Sequence, residues 1–160
     1  MATERQHAIM ISHLAYEVAA LECTMLHAED RFYFEAFLVH ARALRDFFWR
    51  NVKRRNRDAV AQDFVEDVEA WRSQRGPRSS MVMRTWDPID RQLAHLTWDR
   101  ADRSKFVNLQ RYVRPLGSEL LQQWDILLAN VSAPRAALFR SALKKRRAQI
   151  GCAPNPGSPS

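Results

Sequence analysis

Apolar side chains recur along this chain at spacings of three and four residues, the period of a helix rather than a strand. The densest case is Arg31 to Arg50, RFYFEAFLVHARALRDFFWR. At about 100° per residue, Phe34, Phe37, Ala41, Leu44 and Phe48 fall on one stripe, while Arg31, Glu35, Arg42 and Asp46 gather opposite. Seven of the chain's sixteen aromatics lie here, with no Gly or Pro. The pattern predicts a helix buried on one side and extended to about Val52. Arg31/Glu35, Arg42/Asp46 and Asp46/Arg50 are i,i+4 pairs on its solvated face, each worth roughly 0.2–0.5 kcal/mol.

Before this stretch, Thr3 with Gln6 has the form of a capping box. Ile11, Leu14, Val18, Leu21 and Met25 then make a bundle seam that predicts a first helix to about His27. Glu29 and Asp30 suit the start of the next helix through its partial positive charge. The connection is short, so the two helices are expected to be antiparallel neighbours.

After it, Lys53, Arg54, Arg55 and Arg57 suit a helix C-terminus, and Asn56 and Asp58 a turn. Phe64, Val68 and Trp71 predict a short amphipathic helix, which Gly76–Pro77 and Ser79–Ser80 end. Ser80 to Trp86 is read as a further helical turn at most. Asp87–Pro88, an N-cap acid before a helix-starting proline, predicts a helix carrying Ile89, Leu93 and Leu96 on one face through about Arg100.

Asp102 to Lys105 is polar and is read as a bend. Leu109, Val113, Leu116, Leu120, Trp124 and Leu127 predict a long helix that Pro115 either kinks or restarts. Ser132–Ala133–Pro134 opens a last short helix carrying Ala137, Leu138 and Leu143.

The expected fold is all-α: an up-down bundle of four main helices with one or two short extra helices. Residues 1–148 form its single domain, and residues 149–160 a disordered tail.

Composition changes this picture in one respect. The chain of 160 residues has a formal net charge of +7, but residues 131–160 hold six basic side chains and no acid, and the first 130 sum to +1. The basic excess is thus a C-terminal arm, Lys144, Lys145, Arg146 and Arg147, suited either to nucleic acid or to its own helix dipole. Cys23 and Cys152 show neither CxxC spacing nor a disulfide framework, so a reducing, cytoplasmic setting is expected. No signal peptide is apparent, and no stretch approaches the roughly 18 apolar residues of a membrane span.

Candidate chemistry is sparse. Glu4/His7 is the only Glu-x-x-His spacing, whereas a carboxylate-bridged di-iron bundle needs two with further glutamates. Cys23 and His27 stand at ligand spacing with no second pair, so neither a metal nor a cofactor is expected. There is no GxSxG elbow and no Walker loop, and Cys23 reads as packing rather than a nucleophile.

His40, beside the apolar stripe, reads as a packed side chain with one satisfied nitrogen. Arg91, His95 and Trp98 share a helix face pointing away from Ile89, Leu93 and Leu96. Guanidinium, imidazole and indole there suit gripping a phosphate and stacking a base, or covering an interface.

The phrases LVHARALRDFF (38–48), DAVAQDF (58–64) and RQLAHLTWDR (91–100) resemble segments of small bacterial helical proteins of no assigned activity. A more distant resemblance is to HEPN domains, helical bundles that include many RNases. Their hallmark places about four to six residues between an Arg and a His; Arg91 and His95 enclose three, a departure from a likeness that by itself carries only fold.

The sequence is read as a cytosolic, non-catalytic helical-bundle protein that acts through protein contacts, as a homodimer or with a helical partner. The alternative is a HEPN-like RNA-binding or RNA-cleaving protein, a metal-independent ribonuclease using Arg91 and His95.

Overall fold

What starts the first four helices is visible in their capping side chains. A computed structural model describes residues 3–50, 59–94 and 108–151, and among them there are six α-helices and no strand. In α1 (Glu4–Leu26) the capping box closes: Thr3 N donates to Gln6 Oε1 at 2.7 Å, and Gln6 N to Thr3 Oγ1 at 3.2 Å. Asp30 caps α2 (Arg31–Trp49), accepting from Phe32 N and Tyr33 N. Two hydrogen bonds at each N-terminus satisfy donors that the helix itself cannot.

The stripe on α2 is the core. Phe37, Ala41, Leu44 and Phe48 are buried, with Phe34 half-buried at its edge. They meet Ile11, Leu14, Val18 and Leu21 of the α1 seam, all buried. The two helices are antiparallel, and His40 reaches back to Glu17 with Nδ1 2.8 Å from the carboxylate. That is the packed, satisfied histidine the pattern predicts.

A 3₁₀ turn (Ala61–Asp63) and α3 (Val68–Arg75) follow. Phe64 and Trp71 are buried as expected, but Phe64 lies between the two elements rather than in one helix with Trp71. Asp67 is the reason: its carboxylate accepts from Glu69 N and Ala70 N and starts α3 at Val68, four residues after Phe64.

The expected start at Asp87–Pro88 is not where the next helix begins. Helix α4 runs Ser80–Ala94 with Pro88 inside it, and Ser79 Oγ caps it by accepting from Val82 N at 3.1 Å. Pro88 removes the helical donor of the carbonyl of Arg84, an exposed residue. Val82, Thr85 and Ile89, each fully buried, hold both halves of the helix on one side. The stretch from His95 to Lys105 lies outside the described residues.

A second 3₁₀ turn (Leu109–Tyr112) leads into α5 (Val113–Asn130), so Pro115 marks a restart within a first turn, where proline is tolerated. All six seam residues from Leu109 to Leu127 are buried. Gly117 is one place where a side chain is excluded: a Cβ there would run into Met25 Sδ at the end of α1.

The last helix is longer than expected and faces the core differently. Helix α6 spans Ala133–Ile150 and ends at Gly151 with φ 74, so it passes the expected boundary at residue 148. Ala136, Phe139 and Leu143 are buried, whereas Ala137 and Leu138 are exposed. Phe139 meets Trp124 edge-on at 5.1 Å and Phe64 at 5.9 Å, and Phe64 meets Phe47 at 5.8 Å. These rings tie α2, α5 and α6 together at one end.

Arg135 bonds Glu4 at 3.5 Å and Arg147 bonds Glu22, so α6 runs parallel to α1. The all-α expectation holds. The up-down arrangement of four main helices does not follow from helix content alone; the last long helix runs parallel to the first.

Two further expectations are corrected. Cys23 is buried but disulfide-bonded, although cysteine spacing suggested no framework; Cys152, the chain's other cysteine, lies outside the described residues. By length and composition α1 passes as a candidate membrane span, with 50% of its most apolar window buried inside the fold. A core helix packed against α2 and α6 has that composition for the sake of its buried faces.

Candidate anion-binding cavity

The end of α2 presents carbonyls without helical partners, a negative pole that attracts cations. Two arginines answer it from the following segment. Arg75 Nη1 donates to the Phe48 carbonyl at 2.8 Å, and Arg78 Nη2 to the Trp49 carbonyl at 3.1 Å. Their positions follow from α3. Asp67 starts it, Trp71 anchors its buried side, and Gly76, with φ 70, ends it and turns the chain so that Arg78 follows Arg75 onto α2.

Between these elements is a cavity of about 320 Å³, lined by Phe47, Phe48, Trp49 and Arg50 of α2, by Val60, Ala61 and Gln62, and by Trp71, Arg72, Arg75 and Arg78. That volume is at the small end of ligand sites, roughly 300–1,000 Å³. Among the described residues, four arginines and no carboxylate line it. Arg75 is held below the ordinary arginine range, first by burial and then by repulsion from Arg72 and Arg78. An arginine nevertheless stays charged, so the cavity wall is cationic.

Three residues that line the cavity each carry a buried N–H without an acceptor: Trp49 Nε1, Trp71 Nε1 and Arg75 Nε. An orphaned buried donor costs about 1–3 kcal/mol. Three other buried polar atoms without partners, His7 Nδ1, Gln123 Oε1 and Trp124 Nε1, belong to residues that do not line the cavity.

Behind the wall is an ion network. Arg45, only 1% exposed, donates to Asp46 Oδ1, to Asp90 Oδ1 at 3.0 Å and to the Trp86 carbonyl at 2.9 Å. Its Cζ is 3.8 Å from the centre of the Trp86 ring, and that of Arg78 is 4.3 Å from the same ring. Arg42 pairs with Asp90 at 2.9 Å rather than with Asp46, which Arg45 and Arg50 share. The expected Arg31/Glu35 and Asp46/Arg50 pairs form.

The residues singled out from sequence are dispersed. Arg91 is exposed in the last turn of α4, and His95 and Trp98 lie outside the described residues. Lys144 and Lys145 are exposed. Arg146 donates to Ser12 Oγ at 2.8 Å, and Arg147 grips Glu22, whose hydrogen bond raises the arginine's pKa. Half of the basic arm is therefore tied to α1. Of the Cys23/His27 pair, the sulfur is in a disulfide and His27 is an exposed cap that packs on Tyr33.

The cavity arginines escaped sequence reading because residues 51–80 carry nearly balanced charge. The balance hides a sorting: Asp63, Asp67 and Glu69 serve element starts, while Arg72, Arg75 and Arg78 recur every third residue after them. That three-residue recurrence beside Trp71 was the available signal.

Comparison with protein-family models, with curated proteins and with solved structures finds no match to this chain.

Proposed function

We propose that this chain is a non-catalytic binding protein, and that the Arg/Trp cavity at the end of α2 takes an anionic group of a small ligand. One observation carries the reading: three buried N–H donors without acceptors belong to residues of a wall whose described part has four arginines and no carboxylate. A water-exposed basic patch needs no ligand. A buried set of unpaired donors is costly, and an anion offering only acceptors relieves that cost.

The test is a titration of indole fluorescence with pyrophosphate at constant ionic strength. Trp49 and Trp71 line the cavity, so a saturable change is expected, lost in Arg75→Gln and Arg78→Gln and retained in Arg140→Gln. A flat response with pyrophosphate, phosphate, citrate and acetate alike would defeat the reading. Retention of a mixed RNA that depends on Arg91 but not Arg75 would move the function to α4.

A second element of the reading is a homodimer. On the outer side of α2, Phe32, Val39 and Ala43 are exposed and Ala36 is half-exposed, at i, i+4, i+7 and i+11. Phe32 is 82% exposed. This is the narrow apolar seam through which helices pair. Sedimentation should give a dimer that Phe32→Glu converts to monomer; a monomer at every concentration contradicts it.

A further inference from the structure

We infer that the cavity selects a dianionic phosphomonoester, the terminal phosphate of a small molecule, over carboxylates and phosphodiesters. This rests on the anion-binding reading and adds the charge and proton content of the ligand.

Charge comes first. Arg72 is balanced by Glu69 at 2.8 Å, and Arg50 has Asp46 at 3.2 Å. Arg75 and Arg78 have only neutral partners: the carbonyls of Phe48 and Trp49 and the ring faces of Trp71 and Trp86. Two fixed positive charges thus stand without a carboxylate among the described residues. Among the described residues, the network behind them supplies no surplus anion: the guanidiniums of Arg42 and Arg45 and one contact of Arg50 fall on two carboxylates, Asp46 and Asp90. A monoanion leaves one of the two charges uncompensated; a dianion matches both.

Protons come second. Indole N–H and guanidinium Nε–H are donors only. Gln62 Oε1 is the wall's side-chain acceptor, and Arg72 Nη2 already occupies it at 3.0 Å. A ligand group that must donate meets one side-chain acceptor among the described lining residues, already engaged, so protonated phosphate and clustered sugar hydroxyls are disfavoured at the donor-rich end. A phosphomonoester dianion brings three acceptor oxygens and no proton.

The pH dependence then belongs to the ligand. Among the described residues, the charged groups facing the cavity are Arg50 at the end of α2, Arg72 and Arg75 from α3, and Arg78 beyond it, with Asp46 and Glu69 paired to Arg50 and Arg72. No His, Cys, Asp or Glu among the described residues lines it. The second phosphate proton is bound at pKa of about 6, so occupancy should fall as pH drops through that value.

Titration calorimetry at constant ionic strength tests this with phenyl phosphate, dimethyl phosphate, benzoate and sulfate at pH 7.5 and 5.0. Phenyl phosphate should bind about tenfold more weakly at pH 5.0, where about a tenth is dianionic. Sulfate, a dianion throughout, should be unchanged. Dimethyl phosphate and benzoate should bind at least tenfold more weakly than phenyl phosphate at pH 7.5. Arg78→Gln, at an exposed position, should erase the preference while circular dichroism stays unchanged.

Equal affinity for benzoate and phenyl phosphate, or a pH-flat response to phenyl phosphate, overturns the dianion inference and leaves anion binding standing. No Arg78-dependent binding of any of the four overturns both.

Discussion

Arg45 occupies a position that helical periodicity assigns to neither face of α2, and it is the largest fully buried side chain among the described residues. Its burial is tolerable because four hydrogen bonds and a ring face replace its water. Two of the bonds go to Asp46, the next residue, but the other two go to α4, forty or more residues away, where nothing local to Arg45 announces them. The pair read from spacing, Arg42/Asp46, fails for the same reason: Asp90 competes for Arg42 and Arg45 takes Asp46. Arg45→Ala should destabilise by about 3 kcal/mol, less than for a deeply buried pair because Asp46 and Asp90 keep Arg50 and Arg42. Arg91→Ala, at an exposed site, should move the urea midpoint by no more than about 0.5 kcal/mol equivalent. Equal effects of the two would show that the network does not hold α4 on α2.

At the scale of elements, helices with a strong apolar seam were legible to within a few residues. For α2 the stripe and the core coincide, and Phe37→Ala or Leu44→Ala should cost roughly 2–5 kcal/mol. Helix α6 shows where pattern reading fails. Its basic side chains and alanines leave few apolar markers, and Leu138 drew the predicted face one position away from Phe139. Phe139 is fully buried against Trp124 and Phe64, and Leu138 is 54% exposed. Phe139→Ala should cost about 3–5 kcal/mol and Leu138→Ala almost nothing. Chemical denaturation giving the reverse order would rotate α6 on the bundle. The start of α4 was missed because Asp87–Pro88 has the form of a stronger start signal than Ser79–Ser80. Three buried residues before and after Pro88 override local preference. Gly117→Val should destabilise by about 1–3 kcal/mol through overpacking against Met25, and a more stable variant would place slack between α5 and α1.

For the whole molecule, local pattern shows that the chain is all-α but not which ends of its helices converge. The cavity depends on that convergence: Trp49 ends one helix, Trp71 begins the buried side of another, and Arg75 and Arg78 reach carbonyls nearly thirty residues back. The disulfide at Cys23 is likewise a tertiary fact, and a reductant should lower the melting temperature of wild type but not of Cys23→Ala. Equal melting with and without reductant would mean that the bond carries no stability. The central claim, that unpaired donors at the cavity await an anion, is read most directly from the indole Nε1–H resonances of the five tryptophans. Titrated with phosphate at pH 7.5, the signals of Trp49 and Trp71, assigned by Trp49→Phe and Trp71→Phe, should shift downfield as they gain an acceptor. That of Trp124, also buried and unpaired but outside the cavity, should stay in place. Static Trp49 and Trp71 signals, or all five moving together, would contradict the account.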